Sequence, residues 1–481
     1  MFRRSTASGE RVPAASLAVL AVLLLSLHFE PVNKSMLGVV AAAGAVLLAP
    51  LNPFLWMFFV AASHIVPEPA ALPIPLARLA FAAWLLTLPW NGCARHLPRL
   101  SPIVIYAGPV VLWCSFLLLL DGVVPFPLVF SFLICLITYA QVMRAPARPH
   151  LLLLFLALGG AYAAVGYWGL RTGLPVSAEV YEVYSARAHM SFQRIGSGRG
   201  DANTAALTLP FFMIGCFVLA CSSVRWCATA RYRRWLSALG VAAMALGAPA
   251  LAATVSRGGA YNLGLSLAGL LLLSLLIPPP ERQITRRVWA LVLLVVLAIA
   301  LLPRLTGDGI PDVVRRFSIR NAENARAGGP ALLAGRTEAW QTHLRIMLTY
   351  PLTGIPPGEV WDFGGYGVGI VGQNDNYSLA HNTFLQFGTN AGVPGFLMFL
   401  ALFFQAPLDL LCRRGLAFAF PFVGAMLPVL FGFMSLTVVS WKTFWALLAL
   451  VVAINAGGPV LTRPHLRPLA WRTVHPRHTD E

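Results

Sequence analysis

Two short stretches of this 481-residue chain place chemically capable side chains within or at the edge of apolar sequence. The first is Ser256-Arg257-Gly258-Gly259, the polar interruption of an otherwise apolar run from Leu239 to Ile277, with no carboxylate nearby in sequence. An arginine at membrane depth costs on the order of 2.5 to 3.5 kcal/mol. The glycines open the backbone, so amide N–H groups at the start of the next helix add to its positive field. This combination suits an anion. The second stretch is His381-Asn382, which stands where a new apolar helix begins at Phe384. It puts a histidine at the mouth of a membrane span.

Further candidates lie between and before these two. Arg336 to Tyr350 has helical spacing, with Trp340, Leu344, Met347 and Leu348 on one face and Arg336 one turn before Trp340. His343 on the same helix reads as a surface residue. Pro351 and Gly354 end the helix, and the glycines from Gly354 to Gly372 make a loop whose backbone can approach a ligand closely. Upstream, Gly196-Ser197-Gly198 beside Arg194 and Arg199 forms a second anion-contacting turn, with Asp201 and Asn203 capping the following span. Arg194 is open between a ligand-binding and a structural use. Arg78 snorkels to the interface.

The elements that must position these residues are nearly all apolar. A chain with 58% hydrophobic residues, 11% charged residues and mean hydropathy +0.73 is no soluble globule. The composition predicts an all-α polytopic integral membrane protein with about 12 to 14 transmembrane helices and one large outer loop. Predicted spans include Ala14 to Phe29 (uncleaved), Met36 to Ala49, Ile103 to Leu120, Leu151 to Leu170, Ala260 to Ile277, Phe384 to Gln405 and Leu416 to Val438. The organisation read from this pattern has N-terminal helices over 1–303 with an outer insert at 171–203. The large loop follows at 304–383, then C-terminal helices and a tail at 384–481.

Net charge +17 would suggest nucleic acid in a soluble protein, but here the arginines are spread over short loops between spans, and no nucleic-acid partner is expected. With the N-terminus cytoplasmic, the basic loops Arg95 to Arg99, Arg144 to Arg148, Arg225 to Arg234, Arg282 to Arg287 and Arg413-Arg414 all fall inside. The insert and the large loop then face outward. The seven cysteines show no CxxC pattern and no pairing with histidine, so neither a disulfide framework nor a zinc site is indicated.

Taken together, QRIGSGRGDAN at 193–203, SRGG at 256–259, GRTEAW at 335–340, PLTGIPPG after it and AHNTFLQFGTNAGVPG at 380–395 resemble the O-antigen ligase and polymerase superfamily. The resemblance covers roughly the second half of the chain. It implies a bacterial inner-membrane glycosyltransferase with its active site facing the periplasm. Such an enzyme moves a glycan from undecaprenyl pyrophosphate to an acceptor hydroxyl, lipid A-core being favoured, among membrane lipids and without a metal or cofactor. A polymerase acting on a growing glycan and a protein O-glycan ligase stay open as alternatives, and a lipid-linked sugar transporter is the reading from another class. On this resemblance His381 is the catalytic base, with Glu338 and Asp375 in reserve. Arg257, Arg336 and Arg194 hold the pyrophosphate, supported by Ser256, Gly258, Trp340 and Asn382. The chemistry of arginine agrees, because its planar fork binds phosphate oxygens in pairs and stays charged.

Overall fold

The computed structural model describes residues 52–63, 76–88, 100–145, 148–171, 180–185, 190–195, 202–226, 229–254, 256–306, 336–355, 380–436 and 441–456. In chain order the helices are α1 (Pro53–Ala62), α2 (Leu76–Thr87), α3 (Ser101–Leu120), α4 (Phe126–Val142), α5 (Pro149–Gly159) and α6 (Tyr162–Arg171). After the strands β1 (Val180–Ser185) and β2 (Met190–Ile195) come α7 (Ala202–Trp226), α8 (Ala230–Ala253), α9 (Arg257–Leu275) and α10 (Arg282–Thr306). The last four are α11 (Arg336–Thr349), α12 (Thr383–Arg414), α13 (Leu416–Ser435) and α14 (Lys442–Asn455).

Among the described residues seven helical stretches are long and apolar enough to cross a membrane: α3, Pro149–Tyr167, α7, α8, α9, α12 and α13. Helices α1, α4 and α14 are shorter and apolar. The chain is therefore an all-α polytopic membrane protein, as its composition requires. The expected spans 14–29 and 36–49 lie outside the described residues. One local departure is the antiparallel pairing of β1 with β2 inside the polar insert, which sets Val180 opposite Ile195 and Tyr181 opposite Arg194.

Burial sorts the helices into a core and a periphery. In α14 every residue from Thr443 to Asn455 is buried, with α1, α3, α4, α5 and α12 packed around it. Peripheral faces stay apolar instead of turning polar. Ile105 and Leu112 of α3 are 70% and 72% exposed, and Leu293 of α10 is 70% exposed. A face so apolar is suited to lipid, not water. Polar groups inside the bundle find partners there. The Asn262 amide donates to the Pro428 oxygen at 2.9 Å, joining α9 to α13, and that of Asn455 donates to the Ala406 oxygen at 2.8 Å, joining α14 to α12.

Helix α12 is not one straight span. Gly392 interrupts it with φ 67° and ψ −170°. Phe384 and Phe403 would be roughly 28 Å apart along a straight helix at 1.5 Å per residue. Their ring centroids are 5.5 Å apart, and the rings of Phe387 and Phe399 stack at 3.9 Å. Residues 383–391 thus run back alongside the segment 393–414, forming a helical hairpin whose turn is Gly392-Val393-Pro394. This corrects the expected continuous span from Phe384 to Gln405. It also moves the His381-Asn382 motif roughly 15 Å below the turn, to the level of Phe403.

The two ends of the bundle differ in charge. At one end Arg225 pairs with Glu281 at 2.5 Å and lies over the Phe418 ring, while Arg287 donates to the Ser223 hydroxyl at 2.6 Å. Arg413 and Arg414 close α12 just before α13 begins at that end. The starts of α7 and α9 and the end of α13 form the opposite end. Here the Ser256 hydroxyl meets the Asn203 carboxamide oxygen at 3.5 Å, and the Thr383 hydroxyl donates to the Leu436 oxygen at 2.8 Å. Among the described residues the arginine-rich helix ends and the sequence motifs therefore occupy opposite ends.

Candidate functional site

The motif end is built from helix beginnings. Ser256 is the N-cap of α9, its side chain accepting from the Gly259 amide at 3.4 Å, and Arg257 is the first helical residue, half-buried. A Cβ on Gly259 would lie 2.9 Å from both the Cβ and the carbonyl oxygen of Ala206. Glycine at this position is what lets α9 approach α7. Asn203 does not cap its own helix as expected, since α7 begins at Ala202 and the carboxamide faces Ser256 instead.

Asn382 caps residues 383–391, its side-chain oxygen accepting from the amides of Phe384 and Leu385 at 3.0 and 3.2 Å. His381 just before it is half-buried and has φ 46°, the only positive φ outside glycine among the described residues. The Gln386 side chain reaches back to accept from the Ala380 amide at 3.0 Å. The histidine is therefore held between two anchored neighbours.

Neither α9 nor α12 carries an acidic residue in its first turn, the place where a helix dipole favours one. In both cases a basic residue stands at or beside the helix start. The positive ends of two helices and the Arg257 side chain thus occupy the same end of the bundle as His381, a field that favours a bound anion.

Helix α11, with Arg336 at its first position, packs on residues 383–391. The face it buries is Ala339, His343, Ile346 and Met347, whereas Leu344 is 42% and Leu348 64% exposed. Two expectations are corrected here: the buried face is turned by about one residue, and His343 is an interior residue instead of a surface one. The cause is its hydrogen bond, Nδ1 to the Thr389 hydroxyl at 2.8 Å. Trp340, half-buried, sits at the edge of this face. The turn after α11 completes the docking. The Ile355 amide donates to the Thr389 oxygen and the Val393 amide to the Pro351 oxygen, both at 2.7 Å. Gly354 has φ 67°, and a Cβ there would meet the Thr389 oxygen at 2.2 Å. The Pro-Leu-Thr-Gly turn and the Gly392 turn are in backbone contact.

Arg194 lies on β2 opposite Tyr181, while Arg199, Asp201 and the turn Gly196-Ser197-Gly198 lie outside the described residues, as do Glu359 to Leu379 with Asp375. Arg78 is exposed, its guanidinium over the Phe126 ring at 4.7 Å. Residues that sequence reasoning missed are His343 and Thr389, whose hydrogen bond positions α11. The only signal was the period of Ala339, His343 and Ile346.

Fold and site together define a multi-pass α-helical membrane protein with Arg257 and His381 at one end of its bundle. The family model described as O-antigen ligase matches residues 242–400, so that stretch is similar to an O-antigen ligase domain. It begins within α8, runs through Arg257, Arg336 and His381, and ends just past the α12 turn. No curated protein matches the chain.

Proposed function

We propose that the protein is a glycosyltransferase that moves a glycan from undecaprenyl pyrophosphate to an acceptor hydroxyl at the periplasmic face of the bacterial inner membrane. The observation that carries this reading is the clustering of Arg257, His381 and two helix N-termini without first-turn acids at one end of a membrane bundle. A carrier with its polyprenyl tail in the bilayer presents its diphosphate at such a depth. Arg257 and Arg336 take up the charge that develops on the leaving pyrophosphate. His381 accepts the proton of the attacking hydroxyl, and a single displacement inverts the anomeric carbon. Arg194, Ser256, Gly258, Trp340 and Asn382 support the donor site.

The preferred acceptor is lipid A-core, which makes the enzyme an O-antigen ligase. A polymerase differs only in using a second carrier-linked glycan, and a protein O-glycan ligase in using a protein hydroxyl. The test offers the purified protein a defined undecaprenyl pyrophosphate glycan with lipid A-core or with a second carrier-linked glycan. Glycosylated lipid A-core is the expected product, with inverted anomeric configuration by NMR. An elongated carrier-linked glycan reassigns the protein as a polymerase, and no product with either overturns both.

A further inference from the structure

The arginine-rich end of the bundle takes no part in the proposed transfer, yet its charge is far from balanced. Between Ala202 and Thr306 the chain holds a single acidic residue, Glu281, and Arg225 pairs with it. Arg231, Arg233 and Arg234 stand near the start of α8, and Arg282, Arg286 and Arg287 near the start of α10. The two helices are in contact and both run away from this end. Helix α8 begins shortly after α7 closes, and Arg287 of α10 donates to Ser223 in the last turn of α7. Their starts therefore lie side by side. Arg231, Arg234, Arg282 and Arg286 are exposed, and among the described residues their side chains make no ion pair.

The exposed surface changes along both helices in the same order. On α10, Arg282, Arg286, Trp289 and Leu293 recur at helical spacing and form one exposed stripe, with the tryptophan 49% exposed. On α8, Arg231 is followed one turn later by Trp235, which is 47% exposed and stacked on Tyr232, and further along by exposed Val241 and Leu246. Guanidinium, then indole, then aliphatic side chain is the order in which a phospholipid meets a protein, through its phosphate, its interfacial region and its acyl chains. A soluble anion would use the arginines and leave the exposed apolar stripes uncovered. A zwitterionic lipid would cover the stripes and bring no net charge to the arginines. An anionic phospholipid does both.

We propose that the starts of α8 and α10 bind an anionic phospholipid of the surrounding bilayer, its phosphate on Arg231, Arg234, Arg282 and Arg286 and its acyl chains along the stripes above them. This surface lies at the opposite end from His381 and stands whether or not the transfer reading does. The test places the full chain in nanodiscs of equal parts phosphatidylglycerol and phosphatidylcholine and counts the lipids retained on release by native mass spectrometry. The parent retains phosphatidylglycerol over phosphatidylcholine by about tenfold or more, and the variant R231Q/R234Q/R282Q/R286Q retains the two alike. The variant R231K/R234K/R282K/R286K keeps the preference within about threefold, because near the surface the charge carries most of the attraction. R413Q/R414Q, which removes charge at the same end but from α12, stays like the parent. Equal retention of both lipids by the parent overturns the proposal, as does an equal loss of preference in R413Q/R414Q, which would mean diffuse attraction to the whole end. Should the glutamine variant fail to fold, the folded parent decides. Phosphatidylglycerol brominated in its acyl chains quenches the fluorescence that W235F/W289F removes more strongly than brominated phosphatidylcholine does, and equal quenching overturns the proposal. Displacement of the retained lipid by inorganic phosphate would assign a free-anion site and overturn it too.

Discussion

His381 has a backbone conformation that a histidine adopts at a cost of about 1–3 kcal/mol. Stability and activity should therefore respond oppositely to its replacement. His381→Gly, which relieves the positive φ, is expected to raise the melting temperature by a few degrees while glycan transfer falls at least about a hundredfold. His381→Ala loses transfer as well, with normal abundance in the membrane. A glycine variant that keeps transfer would remove the imidazole from the mechanism. Arg257→Ala should abolish transfer while leaving the protein inserted, because the N-cap of α9 is Ser256; full activity in that variant excludes it. The arginine was legible in sequence, since a charge inside a long apolar run stands out from composition alone. His343 was not. A histidine on an amphipathic helix is as compatible with water as with a buried hydroxyl, and nothing in the sequence pointed to Thr389 as its partner.

At the scale of elements, the α12 hairpin and the turn docked on it form one unit. A Cβ at Gly392 would lie 2.5 Å from the Pro351 oxygen and 2.6 Å from the Leu352 carbonyl carbon, in addition to the strain of φ 67°. Gly392→Ala is expected to cost more than about 1 kcal/mol, read as a lowered melting temperature with loss of transfer. A gentler perturbation is Thr389→Val, which removes the partner of buried His343. Faster hydrogen exchange over residues 336–349, with the spans unaffected, is the expected result; unchanged exchange would mean that α11 is held by its apolar face alone. Hydropathy located nearly every helix because apolar length is what it measures. It missed the hairpin because both arms, 383–391 and 393–414, are apolar, and a window average has no direction. The glycines and proline of Gly392-Val393-Pro394-Gly395 were visible, but in a membrane helix such residues are tolerated within a straight span too. The strands β1 and β2 escaped notice for another reason, since two six-residue strands give a weak signal beside long apolar helices.

At the scale of the whole molecule, charge and motif segregate to opposite ends, which predicts how the protein sits in its membrane. Cys412, exposed beside Arg413, is at the arginine-rich end. In a chain whose other cysteines are replaced, a membrane-impermeant thiol reagent applied from the periplasm should label a cysteine introduced at Asn203 and spare Cys412. Labelling of Cys412 alone would put His381 on the cytoplasmic side, away from the proposed substrate. The expected orientation rests on the distribution of arginine alone, whereas the level of His381 along the bundle required ring-to-ring contacts that no linear pattern contains.

The segment 356–379 leaves and rejoins the structure on one short helix. Before it, the Ile355 amide is tied to Thr389; after it, the Ala380 amide is tied to Gln386. Its two stems are fastened within a single helical turn of each other, independently of the chain between them. Doubling the length of such a segment costs only about 0.6 kcal/mol in closure entropy. Insertions or deletions between residues 356 and 379 are therefore expected to leave both anchors in place.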